Sequence, residues 1–305
     1  MKKTLLAVSS LCLFAATLVG CRNSATTISV CASEIPHATI LKNCLKPILK
    51  EKGYDLEVTV LDWTLQNDAV AHDEYDANYF QHAPYLATYQ GEVPLAAACK
   101  VHFEVLCLYA SNLNHKTLSD GDSIELVNDP SNIERALQVL ASYNVLTINA
   151  SNYDAEKNFT NFSITNPNSC VTFLEGYQKC SLTCVKESSL CASLPDYNFG
   201  IIPGNTALTG LGSDYASRIS LSEKVDAATL SLRANLIAVK KSNLTSDKTK
   251  ALVAAFADSR VSEYISKTFG SSVIYHYEDL IDSRQLGPRP RYPKNSPCFL
   301  QGGLL

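Results

Sequence analysis

Apolar and polar residues along the chain follow two alternating periods. Thr27 to Ser33 is a short apolar run typical of a buried strand, and Asp55 to Asp62 alternates apolar and polar residues as a second strand. Between them, from Ala38 to Lys50, apolar residues recur at helical spacing. Strands that alternate with helices in this way are typical of α/β folds.

The same alternation continues further along the chain. Asp129-Pro130 has the form of an N-cap followed by proline at the first helical position, which predicts a helix over Ser131 to Ser142. Tyr197 to Ile202 and Asn235 to Val239 are predicted strands, and Asp247 to Thr268 is predicted to form one long helix or two. Pro203-Gly204-Asn205 is predicted to be a turn.

Residues 97–110 form one long strand-like run. Within it Lys100, His102 and Glu104 alternate with apolar residues, which predicts that one face of the strand is exposed to water. Trp63 follows the second strand at its carboxyl end, in a predicted loop, and open α/β sheets place ligand contacts at such ends.

The first residues have the pattern of an export signal. Lys2 and Lys3 precede an apolar segment that is too short to span a bilayer, and Leu18-Val19-Gly20-Cys21 has the form of a bacterial lipobox. We therefore predict a lipoprotein signal peptide at 1–20, lipid on Cys21 (acyl chains such as palmitate) and a tether at 21–26. The alternative is a simple signal peptide followed by an incidental cysteine. The predicted location is the cell membrane, lipid-anchored, facing the periplasm or the cell exterior.

Composition and charge exclude some functions. The chain has 26 Lys and Arg against 30 Asp and Glu in 305 residues, a net charge of −4 without a basic cluster, so nucleic acid is a poor candidate partner. Eleven cysteines are present. Those that follow Cys21 are odd in number, and their pairing cannot be deduced from sequence. The best candidates for disulfides in an oxidising compartment are Cys170, Cys180, Cys184 and Cys191. The Cys180-x3-Cys184 spacing lacks a zinc signature, so no metal is predicted.

One stretch carries a more specific signal. Asp76 to Leu86 (DANYFQHAPYL) brings three aromatic rings, an imidazole, two side-chain amides and a proline together, a mixture suited to lining a ligand cavity. The stretch resembles the signature of the NlpA-type methionine-binding lipoproteins, the substrate-binding receptors of bacterial ABC methionine importers. Pro36-His37-Ala38 and Asp129 to Leu137 (DPSNIERAL) are similar to other motifs of that family. Ile133-Glu134 departs from the family pattern, which often has two glycines there.

The resemblance implies an α/β, two-lobed periplasmic-binding-protein-like fold with two chain crossovers and a central ligand cleft. Lobe 1 would comprise residues 27–107 plus 235–275, and lobe 2 residues 108–234, with a cysteine-containing insertion near 177–185. Residues 276–305, rich in proline and glycine, are predicted to be an irregular C-terminal tail. The resemblance covers roughly residues 27–274.

It also implies a ligand and its contacts. The ligand would be methionine, delivered to an ABC transporter permease. Arg135 would hold the carboxylate with help from Asn132, and Asn205 would accept a hydrogen bond from the ammonium. The pocket for the thioether tail would be formed by Trp63, Phe80, His82 and Tyr85, whereas Tyr79 is the aromatic residue best assigned to the core.

Three other functions stay open at this point. The chain could be a receptor for another small apolar amino acid or for a methionyl dipeptide, or a surface lipoprotein with a degenerate pocket and a structural or adhesive role. An enzyme is not predicted, because no motif places a nucleophile beside a base. No cofactor is predicted.

Overall fold

A computed structural model describes residues 25–149 and 166–281 of the chain. The predicted signal peptide, Cys21 and the part of the predicted tail from residue 282 onward lie outside the described residues. The structure is an α/β fold of two lobes, each built around its own mixed sheet. This confirms the fold class predicted from the sequence.

The sheet of lobe 1 contains six strands, in the order β13-β4-β12-β3-β1-β2. Their bounds are β1 Thr27–Ala32, β2 Asp55–Val60, β3 Ala77–His82, β4 Leu95–Glu104, β12 Asn235–Lys240 and β13 Val273–Asp279. Strands β2 and β3 run parallel to β1, whereas β12 is antiparallel to both β3 and β4. Because β3 is central and buried along its whole length, it holds its side chains rigidly at the carboxyl end of the sheet.

The sheet of lobe 2 contains five strands, in the order β11-β5-β10-β6-β9. Their bounds are β5 Cys107–Ala110, β6 Ser123–Val127, β9 Ser181–Val185, β10 Phe199–Ile202 and β11 Ile219–Ser222. A separate two-stranded sheet pairs β7 (Leu146–Ile148) with β8 (Val171–Phe173).

Nine α-helices lie within the described ranges, together with short 3-10 and π-helical segments. The bounds of the α-helices are α1 Lys46–Glu51, α2 Trp63–Ala71, α3 Ala83–Ala87, α4 Pro130–Ser142, α5 Leu190–Ser193, α6 Gly204–Gly210, α7 Ala227–Arg233, α8 Asp247–Phe256 and α9 Ser259–Phe269. Two π-helical segments, Glu34–Ala38 and Leu41–Leu45, precede α1. None of the helices in these ranges has both the length and the apolar character needed to cross a bilayer.

Each lobe has its own apolar core, and the cleft lies between the lobes. The core of lobe 1 packs α1, α8 and α9 against the sheet, and the core of lobe 2 packs α4 against β6 and β10. The chain passes from β4 to β5 through Val105 and Leu106, and it returns in the segment between β11 and β12, which contains α7. The long run predicted over 97–110 is therefore two strands, one in each sheet.

Several predictions about local structure are wrong. Lys100, His102 and Glu104 are buried instead of exposed, because β4 is covered by neighbours and lies inside the molecule. The loop predicted after β2 is the first turn of α2, where the Asp62 side chain accepts a hydrogen bond from the Thr64 N–H at 2.9 Å. Residues 203–205 do not form a free turn, because α6 begins at Gly204.

The cysteine-containing region also differs from its prediction. Residues 181–185 form β9, an edge strand that pairs in parallel with β6, so this part of the predicted insertion belongs to the sheet. The four candidate cysteines for disulfides are free thiols. Two of them contact different backbone carbonyls, with Cys180 Sγ 3.2 Å from the Ser119 oxygen and Cys191 Sγ 3.3 Å from the Thr206 oxygen. At the carboxyl end of the described chain, β13 continues to Asp279 and thus includes residues 276–279 of the predicted tail.

Candidate functional site

A cleft that is partly open to solvent lies between the two lobes, and residues of both lobes line it. All seven residues predicted to contact a ligand line it, namely Trp63, Phe80, His82, Tyr85, Asn132, Arg135 and Asn205. The other lining residues are Ser33, Gln81, Glu104, Glu187, Pro203 and Asn235.

Three aromatic rings form the apolar wall on the side of lobe 1. Trp63 starts α2, Phe80 comes from β3, and Tyr85 lies in α3, so three consecutive elements contribute one ring each. The Trp63 and Tyr85 ring centroids are 4.9 Å apart, and Phe80 meets Tyr85 edge to face at 5.5 Å. Tyr79 points away from this wall into the core, where it is fully buried against Phe256, as expected. The wall is flat and apolar, and such surfaces suit a thioether or an aliphatic chain.

His82 links the two lobes through a chain of hydrogen bonds. Its Nδ1 accepts from the backbone N–H of Tyr85 at 3.2 Å, which leaves Nε2–H to donate to Asn132 Oδ1 at 3.2 Å. Asn132 Nδ2 in turn donates to Asp129 Oδ2 at 2.6 Å. Burial and the positive charges of Arg233 and Arg135 hold the pKa of His82 well below its usual 6.5. His82 is therefore a neutral, oriented donor instead of a cation.

Arg135 is buried, and hydrogen bonds to Glu223 and to Glu104 fix one edge of its guanidinium. Its Nε donates to Glu223 Oε1 at 2.8 Å, and its Nη2 donates both to Glu223 Oε2 at 2.5 Å and to the Glu104 carbonyl at 2.8 Å. The guanidinium also stacks over the Phe103 ring, 5.5 Å from its centroid. Nη1 forms no hydrogen bond with any residue in the described ranges, so its two N–H groups remain for a ligand.

The amino terminus of α4 is already satisfied by its own cap. Asp129 Oδ1 accepts from the backbone N–H groups of Ser131 and Asn132, both at 3.1 Å. A ligand carboxylate therefore cannot use these N–H groups without displacing Asp129. Arg135 Nη1 is the stronger candidate for an anion in this cleft.

A buried polar network lies beneath the cleft around Glu104. Its Oε1 accepts from His102 Nε2 at 2.7 Å and lies 3.4 Å from His37 Nε2, and its Oε2 accepts from the Asn205 backbone N–H at 3.0 Å. The Tyr79 hydroxyl is hydrogen-bonded to His102 Nδ1. Burial lowers the pKa of His37 to about 4 and that of His102 to about 3, so both imidazoles are neutral near pH 7. The network fixes the floor of the cleft and Asn205 above it.

This network is also the one group among the described residues with the donor set of a metal site. Ligand atoms of His37, His102 and Glu104 lie within 4.8 Å of one another. A metal ion bound there would compete with the hydrogen bonds that these side chains already form, such as the one from His102 Nε2 to Glu104 Oε1. The hydrogen bonds already account for the arrangement of these side chains.

Asn205 and Glu187 face the cleft from lobe 2. Asn205 lies in the first turn of α6, and Glu187 begins a short 3-10 turn at 187–189. The Thr206 hydroxyl joins them, since it donates to Glu187 Oε1 and lies 3.3 Å from Asn205 Oδ1. Glycine suits position 204, because a Cβ there would lie 3.2 Å from the Val105 carbonyl oxygen of the crossover, which is a tight contact.

Ile133 and Glu134, which stand where the family often has two glycines, lie behind the cleft. Ile133 is fully buried in the core of lobe 2, and Glu134 is 1% exposed. Burial raises the pKa of Glu134 to about 7, against the opposing charge of Arg233. Neither residue lines the cleft, so the departure alters the packing of α4 rather than the direct contacts of a ligand.

Sequence reasoning missed six lining residues. Gln81 is part of the recognised stretch, and its amide bonds to Asn67 and Asn78 at 2.6–3.0 Å to lock α2 against β3. Glu104 belongs to the run whose pattern predicts a face in contact with water. Ser33, Glu187, Pro203 and Asn235 stand singly at the ends of elements, and no local pattern distinguishes such positions from ordinary turns.

Comparison with known proteins gives consistent results. The family model described as NlpA lipoprotein matches residues 28–276. The methionine-binding lipoprotein MetQ of Bacillus subtilis (strain 168) is 30% identical over 272 residues, which cover 84% of this chain and 90% of that protein.

Solved structures show the same fold. A crystal structure from Ruminococcus gnavus ATCC 29149, described as a lipoprotein, superposes with a TM-score of 0.72 at 33% identity and covers 83% of this chain and all of its own. A nutrient binding protein from Burkholderia cenocepacia, solved bound to methionine, superposes with a TM-score of 0.70 at 24% identity and covers 81% of this chain and 99% of its own. The latter likeness shows the fold alone.

Proposed function

The chain belongs to the NlpA lipoprotein family, and from that premise we propose that it captures methionine in the cleft and delivers it to the permease of an ABC transporter. The observation that carries the proposal is the pairing of two opposite surfaces in one cleft. An arginine with two uncommitted N–H groups faces it from lobe 2, and a wall of three aromatic rings faces it from lobe 1. The name of the B. subtilis relative, a methionine-binding lipoprotein, supports the choice of ligand.

Each part of methionine has a matching group in the cleft. The carboxylate would accept hydrogen bonds from Arg135 Nη1, a charge-assisted interaction of about 1.5–3 kcal/mol. The thioether would lie between Trp63, Phe80 and Tyr85, where sulfur–aromatic contact contributes about 0.3–1.5 kcal/mol beyond burial. Asn205 Oδ1 would accept from the ammonium. No group in this scheme transfers a proton or forms a covalent bond, so we propose binding without turnover.

Because the groups come from both lobes, the complete site requires the lobes to meet. Ligand binding would therefore favour a closed state, since only that state satisfies the carboxylate and the thioether together. The hydrogen bond between His82 and Asn132 crosses the cleft and would help to hold that state. The closed form would then present the ligand to the permease.

We also propose that lipid on Cys21 holds the protein at the membrane, facing the periplasm or the cell exterior. Family membership supports a lipid anchor. Replacing Cys21 with alanine should move the protein from the membrane fraction to the soluble fraction and remove the lipid mass from its amino-terminal peptide. Unchanged membrane association would contradict the anchor without affecting the proposed ligand.

Mass spectrometry of ligand co-purified with the protein, expressed without residues 1–21, tests the ligand. Calorimetry with L-methionine, D-methionine, norleucine and a methionyl dipeptide then ranks the candidates. We expect methionine to bind tightest, with norleucine weaker because it lacks the polarisable sulfur. Tighter binding of norleucine or of the dipeptide would reassign the ligand, and no binding of any of them would favour a structural role for this lipoprotein.

A further inference from the structure

Glu187 is an acidic residue in the cleft whose charge no side chain in the described part of the chain balances. It lines the cleft, yet no lysine, arginine or histidine in the described ranges forms an ion pair with it. The one hydrogen bond of its side chain among these residues comes from the Thr206 hydroxyl to Oε1. Arg135, the cation of the cleft, is already bound to Glu223 through Nε and Nη2.

The carboxylate of Glu187 lies close to the side-chain oxygen of Asn205. The Thr206 hydroxyl lies within hydrogen-bonding distance of both Glu187 Oε1 and Asn205 Oδ1, so the two acceptors lie close together. A hydroxyl has one proton and can satisfy only one of them. Glu187 Oε2 and Asn205 Oδ1 therefore remain as two neighbouring acceptors without a donor from the described chain, an arrangement that suits a cation with several N–H groups.

Burial and nearby negative charges make a bound cation favourable beside Glu187. Burial raises the pKa of its carboxyl, and three further carboxylates raise it more. These carboxylates are Glu104, Asp62 and Asp129. A bound cation would relieve this repulsion, whereas a neutral ligand would leave a partly desolvated carboxylate without compensation.

We propose that Glu187 binds the α-ammonium of the ligand together with Asn205, and that it restricts the cleft to amino acids with a free amino group. This inference rests on the proposed function, because it assumes an amino acid in the cleft with its carboxylate at Arg135. It adds a selectivity that Asn205 alone does not provide, since an amide also accepts from an acylated N–H. Ligands whose nitrogen is acylated or absent are disfavoured, because they leave this half-buried carboxylate without a cation.

The alternative role of Glu187 is structural. Its contact with Thr206 joins the turn at 187–189 to α6, and a protonated carboxyl would do this equally well. The two roles differ in their dependence on the ligand. A structural role changes the affinity for all ligands alike, whereas a counter-ion distinguishes ligands with and without an ammonium.

The test compares two variants with two ligands by calorimetry. Glu187→Gln keeps the size of the side chain and its acceptor for Thr206 but removes the charge, and Glu175→Gln, at an exposed position of the same lobe, is the control. The ligands are L-methionine and 4-(methylthio)butanoate, which lacks only the amino group. Thermal melting of each variant establishes that it is folded.

We expect Glu187→Gln to weaken methionine binding about 10- to 150-fold, the range of a charge-assisted hydrogen bond. The affinity for 4-(methylthio)butanoate should stay the same or rise, and Glu175→Gln should change neither. Equal loss for both ligands, or no loss for methionine, would overturn the inference.

The proposed function can fail separately. If the wild-type protein ignores methionine but binds another free amino acid, the ligand assignment is wrong. Glu187 is then tested in the same way with that amino acid and its desamino counterpart. If no free amino acid binds, both proposals are overturned.

Discussion

Arg135 carries a structural contact as well as a proposed ligand contact, and the two can be separated by experiment. The side chains of Arg135 and Glu223 are 5% and 9% exposed, and they form a bidentate pair. Removing one partner of such a buried pair costs about 3–5 kcal/mol, because the other charge is left without compensation. We therefore expect Arg135→Met to lower the free energy of unfolding by about that amount, or the urea midpoint by about 1–2 M.

The chain offers a matched control on its surface. Arg260 also forms a bidentate pair, through Nη1 and Nη2 to Glu51 at 2.8 Å each, but these side chains are 47% and 60% exposed. Exposed pairs contribute about 0–1 kcal/mol, so Arg260→Met should cost correspondingly little in the same urea titration. If Arg135→Met proves as stable as Arg260→Met, the reasoning about the buried pair is wrong.

A double variant separates stability from binding. Arg135→Met combined with Glu223→Gln should be more stable than Arg135→Met alone, because no buried charge is then left unpaired. Methionine binding should nevertheless stay about 10- to 150-fold weaker in both variants, because the N–H groups of Nη1 are gone from each. A folded double variant that binds methionine with wild-type affinity in calorimetry would refute the role of Arg135 in holding the carboxylate.

Three further predictions concern the aromatic wall, the cap of α4 and the protonation of Glu187. Trp63→Ala should weaken methionine binding about 5- to 30-fold in calorimetry, since it removes one ring of the apolar wall, and Trp63→Phe should restore most of the loss. Asp129→Ala should cost about 1–2 kcal/mol in chemical denaturation, because it removes the cap of α4 and frees Asn132; an unchanged midpoint would contradict the cap. Lowering the pH should weaken methionine binding as Glu187 protonates, from a higher pH than for an exposed glutamate because the pKa of Glu187 is raised, and Glu187→Gln should flatten this profile. His82 stays neutral over that range because its pKa is well below 6.5. Burial also raises the pKa of Glu104 and of Asp129, but both groups are present in the wild type and in the variant, so identical pH profiles for the two proteins would contradict the assignment.

The parts of the site that sequence reasoning found are those defined by local rules. Asp129-Pro130 fixes the start of α4, and a helix start fixes which side chains of its first turns share a face, so the sequence alone places Asn132 and Arg135 together. The stretch from Asp76 to Leu86 likewise concentrates its chemistry within one strand and one helical turn.

The parts that were missed depend on distant partners. Glu223 meets Arg135 across 88 residues, and no periodicity records such a contact. Lys100 and His102 alternate with apolar residues as on an exposed strand, yet β4 is buried, so only the tertiary fold reveals a polar layer beneath the cleft. The turn predicted at 203–205 is the start of α6. Proline and glycine are typical both of turns and of helix starts, and Pro203, at the N-cap, has no side-chain acceptor that would distinguish a helix start from a turn.

The arginine at the centre of the proposed site also lies where the chain crosses between lobes. Arg135 donates to the Glu104 carbonyl, and its partner Glu223 is hydrogen-bonded to both the N–H and the carbonyl of Leu106 in the crossover. When two lobes open and close about the segments that connect them, groups beside those segments move least. The proposed carboxylate contact therefore lies beside the crossover, whereas Trp63 and Tyr85 are partly exposed residues of lobe 1. We therefore expect a ligand to bind first through its carboxylate, and its side chain to contact the aromatic wall only as the lobes close.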